Sequence, residues 1–234
     1  MIEKRPFDSL GSFNNDWLAA RYHFSFSGYR DPKRTQWGAL RVWNDDTIQP
    51  KTGFPPHPHQ DMEIITYVRT GAITHEDSMG NRGRTEAGDV QVMSAGQGVT
   101  HAEYNLEGEA TTLYQIWILP KAHGGKPFWG AAKFPKADRA GALVPLASGF
   151  ADDQQAGALP IRQDARVLAA TLEAGQSATY TLTPGRYAYL AVAKGDAIVN
   201  GIELKSRDGA AIKDEQEIRI EAQSTTELVL VDAP

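Results

Sequence analysis

The chain has 234 residues, a formal net charge of −5, 41% hydrophobic residues and no cysteine. The weak acidic excess leaves no electrostatic footprint for nucleic acid or an anionic membrane. The missing thiols exclude disulfides, iron–sulfur clusters and zinc–thiolate sites. The length suits one large all-β domain or two barrels of about 100 residues each. The N-terminal MIEKRPFDSLGSFNNDW has no apolar core of a secretory signal, and no run approaches the ~20 apolar residues of a membrane span. A cytoplasmic protein is expected.

In chain order, Asp16 is placed to cap a short helical turn over Trp17–Arg21. Period-two alternation then predicts strands at Tyr22–Phe26 and Ala39–Asn44. Asp45-Asp46 reads as a hairpin turn. Further strands are predicted at Glu63–Val68, Ala72–His75, Val90–Met93, His101–Asn105 and Leu113–Leu119. The Lys/Ala/Gly/Pro-rich stretch from Pro120 to Gly141 reads as a connection with room for a turn of helix. Strands resume at Val167–Thr171, Ala178–Leu182, Ala188–Ala193, Ala197–Val199, Ala210–Ile212, Ile218–Ile220 and Glu227–Val231. Many short strands with frequent turns argue for sandwiches or barrels.

The two halves resemble each other. YVRTGAIT from Tyr67 matches AVAKGDAIV from Ala191, AGDVQVM from Ala87 matches DGAAIKD from Asp208, and TTLYQIWI from Thr111 matches TTELVLV from Thr225. This pattern predicts a duplication with a period of about 120 residues.

Six histidines occur, at 23, 57, 59, 75, 101 and 123. His57 and His59 flank Pro58, and residues i and i+2 of a strand share a face. His101 and Glu103 repeat that spacing on a second strand. Side by side, the two dyads would bring four N/O ligands to one divalent ion. Such a set suits Fe(II), Zn, Ni, Co, Mn or Cu. Glu63 has the parity of His57 and His59 and is an alternative carboxylate. His23 reads as packed, His75 as structural or exposed, and His123 as solvated. The tryptophans at 37, 43 and 117 read as core.

The sequence around the dyads is more specific. Gly53…His57-Pro-His59-x-x-x-Glu63…Gly71 resembles the first cupin motif. Gly88-x₅-Ser94-Ala95-Gly96…His101-x-x-x-Asn105 resembles the second, with Ser94 in place of the usual Pro and two extra residues before His101. HPHQDMEIITYV, HEDSMGN, AGDVQVMSAGQGVTHAEYN and LYQIWILP together closely resemble the pirin family, in particular its bacterial members with quercetin 2,3-dioxygenase activity. WLAARYHFSFSGYRDP and WGALRVWNDD fit the same pattern. The resemblance is strong over residues 17–120 and diffuse elsewhere.

That resemblance implies an all-β bicupin of two double-stranded β-helix (jelly-roll) barrels. A metal-binding barrel would span residues 1–135, and a barrel without metal ligands residues 136–234. It implies one divalent ion, Fe(II) first, on His57, His59, His101 and Glu103. The second half holds no histidine, in agreement. The implied activity is a metal-dependent flavonol dioxygenase that opens the ring with O2 and releases CO. Glu103 would take the flavonol's 3-hydroxyl proton. The alternative is a metal-dependent sensor or regulatory protein acting through protein partners. A monomer is expected, with a flavonol-like aromatic substrate.

Overall fold

The computed structural model describes residues 1–134 and 136–234. The expected division between 135 and 136 falls at Pro135, outside the described residues. The described residues form two seven-stranded and two four-stranded sheets.

The first large sheet runs in the order Phe128–Ala132, Val90–Ser94, Glu63–Thr70, Thr111–Ile118, Leu40–Ile48, Leu18–Tyr22, Gly11–Asn14. Its small companion is Thr52–His59, Val99–Asn105, Ala72–Asp77, Arg82–Glu86. The second large sheet runs Ile2–Arg5, Gly209–Lys213, Tyr187–Lys194, Thr226–Ala233, Arg166–Leu172, Val144–Ser148, Leu159–Pro160. Its companion is Ser177–Thr181, Glu217–Ala222, Ala197–Val199, Ile202–Leu204. The first strand of the chain therefore extends the later sheet.

Strand alternation decides which face each side chain meets. Ile65, Tyr67, Trp43, Tyr114 and Ile116 share one buried cluster with Val167, Ala169, Tyr189, Val229 and Val231. The two large sheets are thus packed back to back through one alternating face of each strand. Neighbours such as Ile64 and Val68 turn the other way, into the first barrel. Leu168, Leu190, Leu228 and Leu230 fill the second barrel against Val199, Ile218 and Ile220. Two all-β barrels joined by an apolar sheet-on-sheet seam result.

The duplication is visible in the turns. Gly71 and Gly195 both have positive φ (75° and 80°). A Cβ on Gly71 would lie 2.5 Å from Thr111 Oγ1, and one on Gly195 2.8 Å from Thr226 Oγ1. Thr111 therefore corresponds to Thr226, one residue later than the Thr-Thr match in the sequence. This register pairs Gln115 with Leu230.

Several local expectations are corrected. Residues 18–22 are a strand paired with Leu40–Ile48, not a helical turn. That strand ends at Tyr22 instead of starting there. Asp45 and Asp46 lie inside the strand Leu40–Ile48, opposite Tyr114 and Leu113. The 120–141 connection contains the strand Phe128–Ala132, which caps the first large sheet at Val90–Ser94, and a 3₁₀ turn at Lys136–Arg139. A short helix at Ala151–Gln155 had no clear sequence signal.

Candidate metal centre

His57 and His59 stand on Thr52–His59, the edge strand of the first small sheet. Pro55, Pro56 and Pro58 are tolerated there because an edge strand leaves backbone donors unused. Their fixed φ stiffens the segment carrying the two rings. His101 pairs directly with His57, and Glu103 pairs with Phe54 across a register shift. The bulge lies at the Pro55-Pro56 pair and re-aims the strand between the two dyads.

The donor nitrogens of His57, His59 and His101 all lie within 4.8 Å of one another. Hydrogen bonds assign the tautomers. Asp77 accepts from Met79 N (2.9 Å), Asn81 N (3.1 Å) and Asn81 Nδ2 (3.0 Å). Burial alone would raise its carboxyl, but the hydrogen bonds from His75, Asn81 and Met79 outweigh that and hold it below the usual range. An ionised Asp77 only accepts, so His75 Nε2 donates to it at 3.0 Å. His75 Nδ1 is then an acceptor, and His101 Nδ1 donates to it at 3.4 Å. His57 Nδ1 donates to the Pro55 carbonyl at 2.8 Å.

With all three rings neutral, this leaves a lone pair on His57 Nε2 and another on His101 Nε2, the two nitrogens 3.0 Å apart. Two bare lone pairs repel, and a cation between them reverses the sign. Two imidazoles at right angles about an ion, with bonds of ~2.1 Å, stand about 3.0 Å apart. Burial, then the neighbouring imidazoles, lowers His59 to about 4 and His101 to about 3. Both are neutral at pH 7, as ligation requires. The residues fit a divalent metal ion.

Glu103 is buried and reaches across the barrel toward the large sheet. Its Oε1 accepts from Gln91 Nε2 at 2.7 Å and Thr66 Oγ1 at 3.2 Å, and its Oε2 accepts from Gln115 Nε2. Each amide is oriented from behind. Trp117 Nε1, which can only donate, bonds Gln115 Oε1 at 3.1 Å, and Thr85 Oγ1 bonds Gln91 Oε1 at 3.1 Å. Three of about four lone-pair positions of the carboxylate are taken, and one is left for an ion or a proton. Glu103 also groups with His75 and His101 within 4.8 Å. Glu63, the alternative carboxylate, is held instead by Ser94 Oγ and by Arg162 N at 3.1 Å. The Ser94 that departs from the cupin motif thus binds the Glu63 side chain.

A cavity of 330 Å³ opens on His57, His59 and Glu103. Leu18, Tyr22, Phe26, Phe54, Pro55 and Trp117 wall it, and Asn44, Asp46 and Gln115 add polar points. It lies at the lower end of the roughly 300–1,000 Å³ range of small-molecule sites. A larger hollow of 620 Å³ shares Phe26 and Trp117 but touches none of the candidate ligands. Phe26 and Trp117 meet edge to face at 5.3 Å between the two. The smaller cavity is the one beside the chemistry.

His75, read as structural or exposed in the sequence, is fully buried against His101 and stacks on Trp129 at 4.9 Å and 10°. Its alternation with Asp77 was the available signal. Gln91 and Gln115 could be suspected only as lone polar residues in apolar strands. His123 is exposed, 3.2 Å from Asp61. His23 is buried, with Nδ1 2.7 Å from Tyr189 OH.

Two jelly-roll barrels, one with converging imidazoles and a carboxylate, define a protein of the cupin class. The chain belongs to the pirin family. Residues 4–118 match the family described as Pirin, and residues 147–233 that described as Quercetinase C-terminal cupin domain. A pirin-like protein of Caulobacter vibrioides is 64% identical over 233 residues, covering 100% of both chains. Quercetin 2,3-dioxygenase of Escherichia coli K12 is 40% identical over 235 residues, covering 100% of this chain and 99% of that protein. The crystal structure of bacterial pirin YhhW from Escherichia coli in complex with nickel(II) matches with a TM-score of 0.93 at 38% identity, covering 100% of this chain and 99% of that one.

Proposed function

We propose that this chain is a metal-dependent flavonol dioxygenase with one divalent ion on His57, His59, His101 and Glu103. The observation that carries the reading is the approach of His57 Nε2 and His101 Nε2 to 3.0 Å, beside an aromatic-walled cavity that also reaches Glu103. The relative named quercetin 2,3-dioxygenase supports the substrate class, and the nickel-bound pirin supports a divalent ion. Fe(II) is the metal proposed first, since a three-His, one-carboxylate set admits several divalent ions. The functional unit proposed is a monomer, divided near residue 135 into a metal-binding barrel and a metal-free one.

In the reaction, O2 adds across C2 and C4 of the flavonol, the C3 carbon leaves as CO, and a depside ester remains. When bound, the metal supplies positive charge that acidifies the substrate's 3-hydroxyl. Glu103 takes that proton through the same lone pair that it otherwise offers the ion, so it serves as ligand and as base in turn. Gln91, Gln115 and Thr66 hold the carboxylate in place for the transfer, which requires about 2.6–3.2 Å between heavy atoms. Phe26, Phe54 and Trp117 flank the planar substrate and exclude water.

The test is anaerobic reconstitution with Fe(II), Ni, Co, Mn, Zn or Cu, followed by O2 uptake and CO release on a panel of flavonols. Uptake with equimolar CO for at least one metal is expected. Tight flavonol binding with no O2 uptake under any metal would remove the dioxygenase reading and favour a sensor.

A further inference from the structure

Asn44 and Asp46 alternate on the strand Leu40–Ile48 and project into the first barrel, where both line the 330 Å³ cavity. They are 5% and 2% exposed. Asn44 Oδ1 and Asp46 Oδ1 have no hydrogen-bond partner among the described residues. Leaving one buried acceptor unpaired costs about 1–3 kcal/mol, and two neighbouring ones on a single strand are uncommon in a settled core.

The second barrel shows what this strand carries when it only packs. Asn44 pairs with Gln115 and Asp46 with Leu113. Leu168 pairs with Leu230 and Ala170 with Leu228 at the corresponding places. Where one barrel has Leu168 and Ala170, the other has an amide and a carboxyl. Burial, then the charges of Asp45 and Glu103, pushes the Asp46 carboxyl well above the usual range, with Arg69 opposing. Such groups are retained at functional sites at the expense of stability.

We infer that Asn44 and Asp46 are specificity-determining residues that hydrogen-bond the ring hydroxyls of a planar polyhydroxylated aromatic ligand. This rests on the flavonol reading of the metal-bearing cavity. The two side chains offer oxygens to hydroxyl donors, while the remaining walls are aromatic or aliphatic. Such a site discriminates strongly against an analogue that lacks the hydroxyls, because its buried polar groups are then left unpaired.

The test compares quercetin with 3-hydroxyflavone, which keeps the 3-hydroxyl and 4-oxo groups but lacks the other ring hydroxyls. Binding is followed without oxygen on nickel(II)-loaded protein by quenching of tryptophan fluorescence, since Trp117 lines the cavity. Asn44→Leu and Asp46→Ala copy the second barrel. Each is expected to weaken quercetin binding about 10-fold and to leave 3-hydroxyflavone binding and nickel content unchanged. Asp46→Asn keeps an acceptor and should retain part of the preference while raising the melting temperature, the reverse of what a packing role gives. Equal loss for both ligands, no loss for either, or wild-type protein that does not prefer quercetin would overturn the inference. Ring-hydroxyl preference without O2 uptake would sink the dioxygenase reading alone, and O2 uptake without the preference would sink the recognition alone.

Discussion

The two barrels share a topology and differ in what fills them. In the first, Thr66, Gln91, Gln115, Glu103, His101 and His75 point inward. The strand registers place Leu190, Ala210, Leu230, Ile220, Ile218 and Val199 at the corresponding positions of the second. The second interior is therefore aliphatic throughout this layer, and its stability comes from burial. The first gives up part of that stabilisation for a polar network that fixes imidazoles and a carboxylate. One jelly roll thus holds aliphatic packing and the other a candidate site, and their inward residues mark the difference.

The largest expected effect comes from Glu103→Gln. The substitution looks conservative, yet Gln91 and Gln115 both present NH2 groups to residue 103. An amide there sets donor against donor, so metal content should fall as well as turnover. Turnover per bound metal is expected to drop about 10²–10⁴-fold. Near-normal turnover in a sample of measured occupancy would remove Glu103 as the proton acceptor.

Asp45 tests the seam between the barrels. It is fully buried and binds Arg69 of its own barrel, and it binds Arg207 of the other barrel through two contacts of 2.8 and 3.0 Å. Asp45→Ala leaves two cations facing each other without their anion. A loss of about 3 kcal/mol is expected in denaturant unfolding, the lower end for broken buried pairs because Arg207 is partly exposed. An unchanged midpoint would show that the apolar seam alone joins the barrels.

Gln115→Leu and His75→Val convert positions of the first barrel into those of the second. Each removes a group that orients a candidate ligand, and metal affinity should fall about 10–100-fold with the fold intact. Calorimetric titration with nickel(II) reads this directly. Unchanged affinity would mean that Glu103 and His101 hold their positions unaided.

These residues also mark the limit of what the sequence disclosed. The dyads at 57/59 and 101/103 were legible because period-two spacing and strand pairing are local rules. Asp45-Asp46 was misread because consecutive acidic residues have turn chemistry. Their strand position depends on the partner strand Thr111–Ile118, and for Asp45 on an arginine 162 residues away. The register of the duplication was off by one residue at Thr225-Thr226 for the same reason, since Gly195 and the sheet fix it. His75 and Gln115 owe their roles to neighbours on other strands, which composition and alternation do not reveal.

The smallest expected effect concerns pH. Burial, then the charges of Arg5, Arg34, Arg207 and Arg69, lowers His23 well below 6.5. The unfolded chain binds a proton below about pH 6.5 while folded His23 stays neutral. Stability is therefore unaffected by this residue above about pH 6.5 and falls as pH drops below it. The slope is at most about 1.4 kcal/mol per pH unit for each such group. His59 and His101 add to it with the same sign down to about 4 and 3. Urea midpoints between pH 7.5 and 5 should fall less steeply for His23→Gln than for the unsubstituted chain. Parallel curves would assign the loss to other groups.

The most direct measurement is crystallographic: nickel(II)-loaded crystals and an anomalous difference map at the nickel edge. One peak per chain is expected, within bonding distance of His57, His59, His101 and Glu103, with none in the second barrel. A peak bound elsewhere, or an empty map at the three imidazoles, would contradict the metal centre proposed for the first barrel.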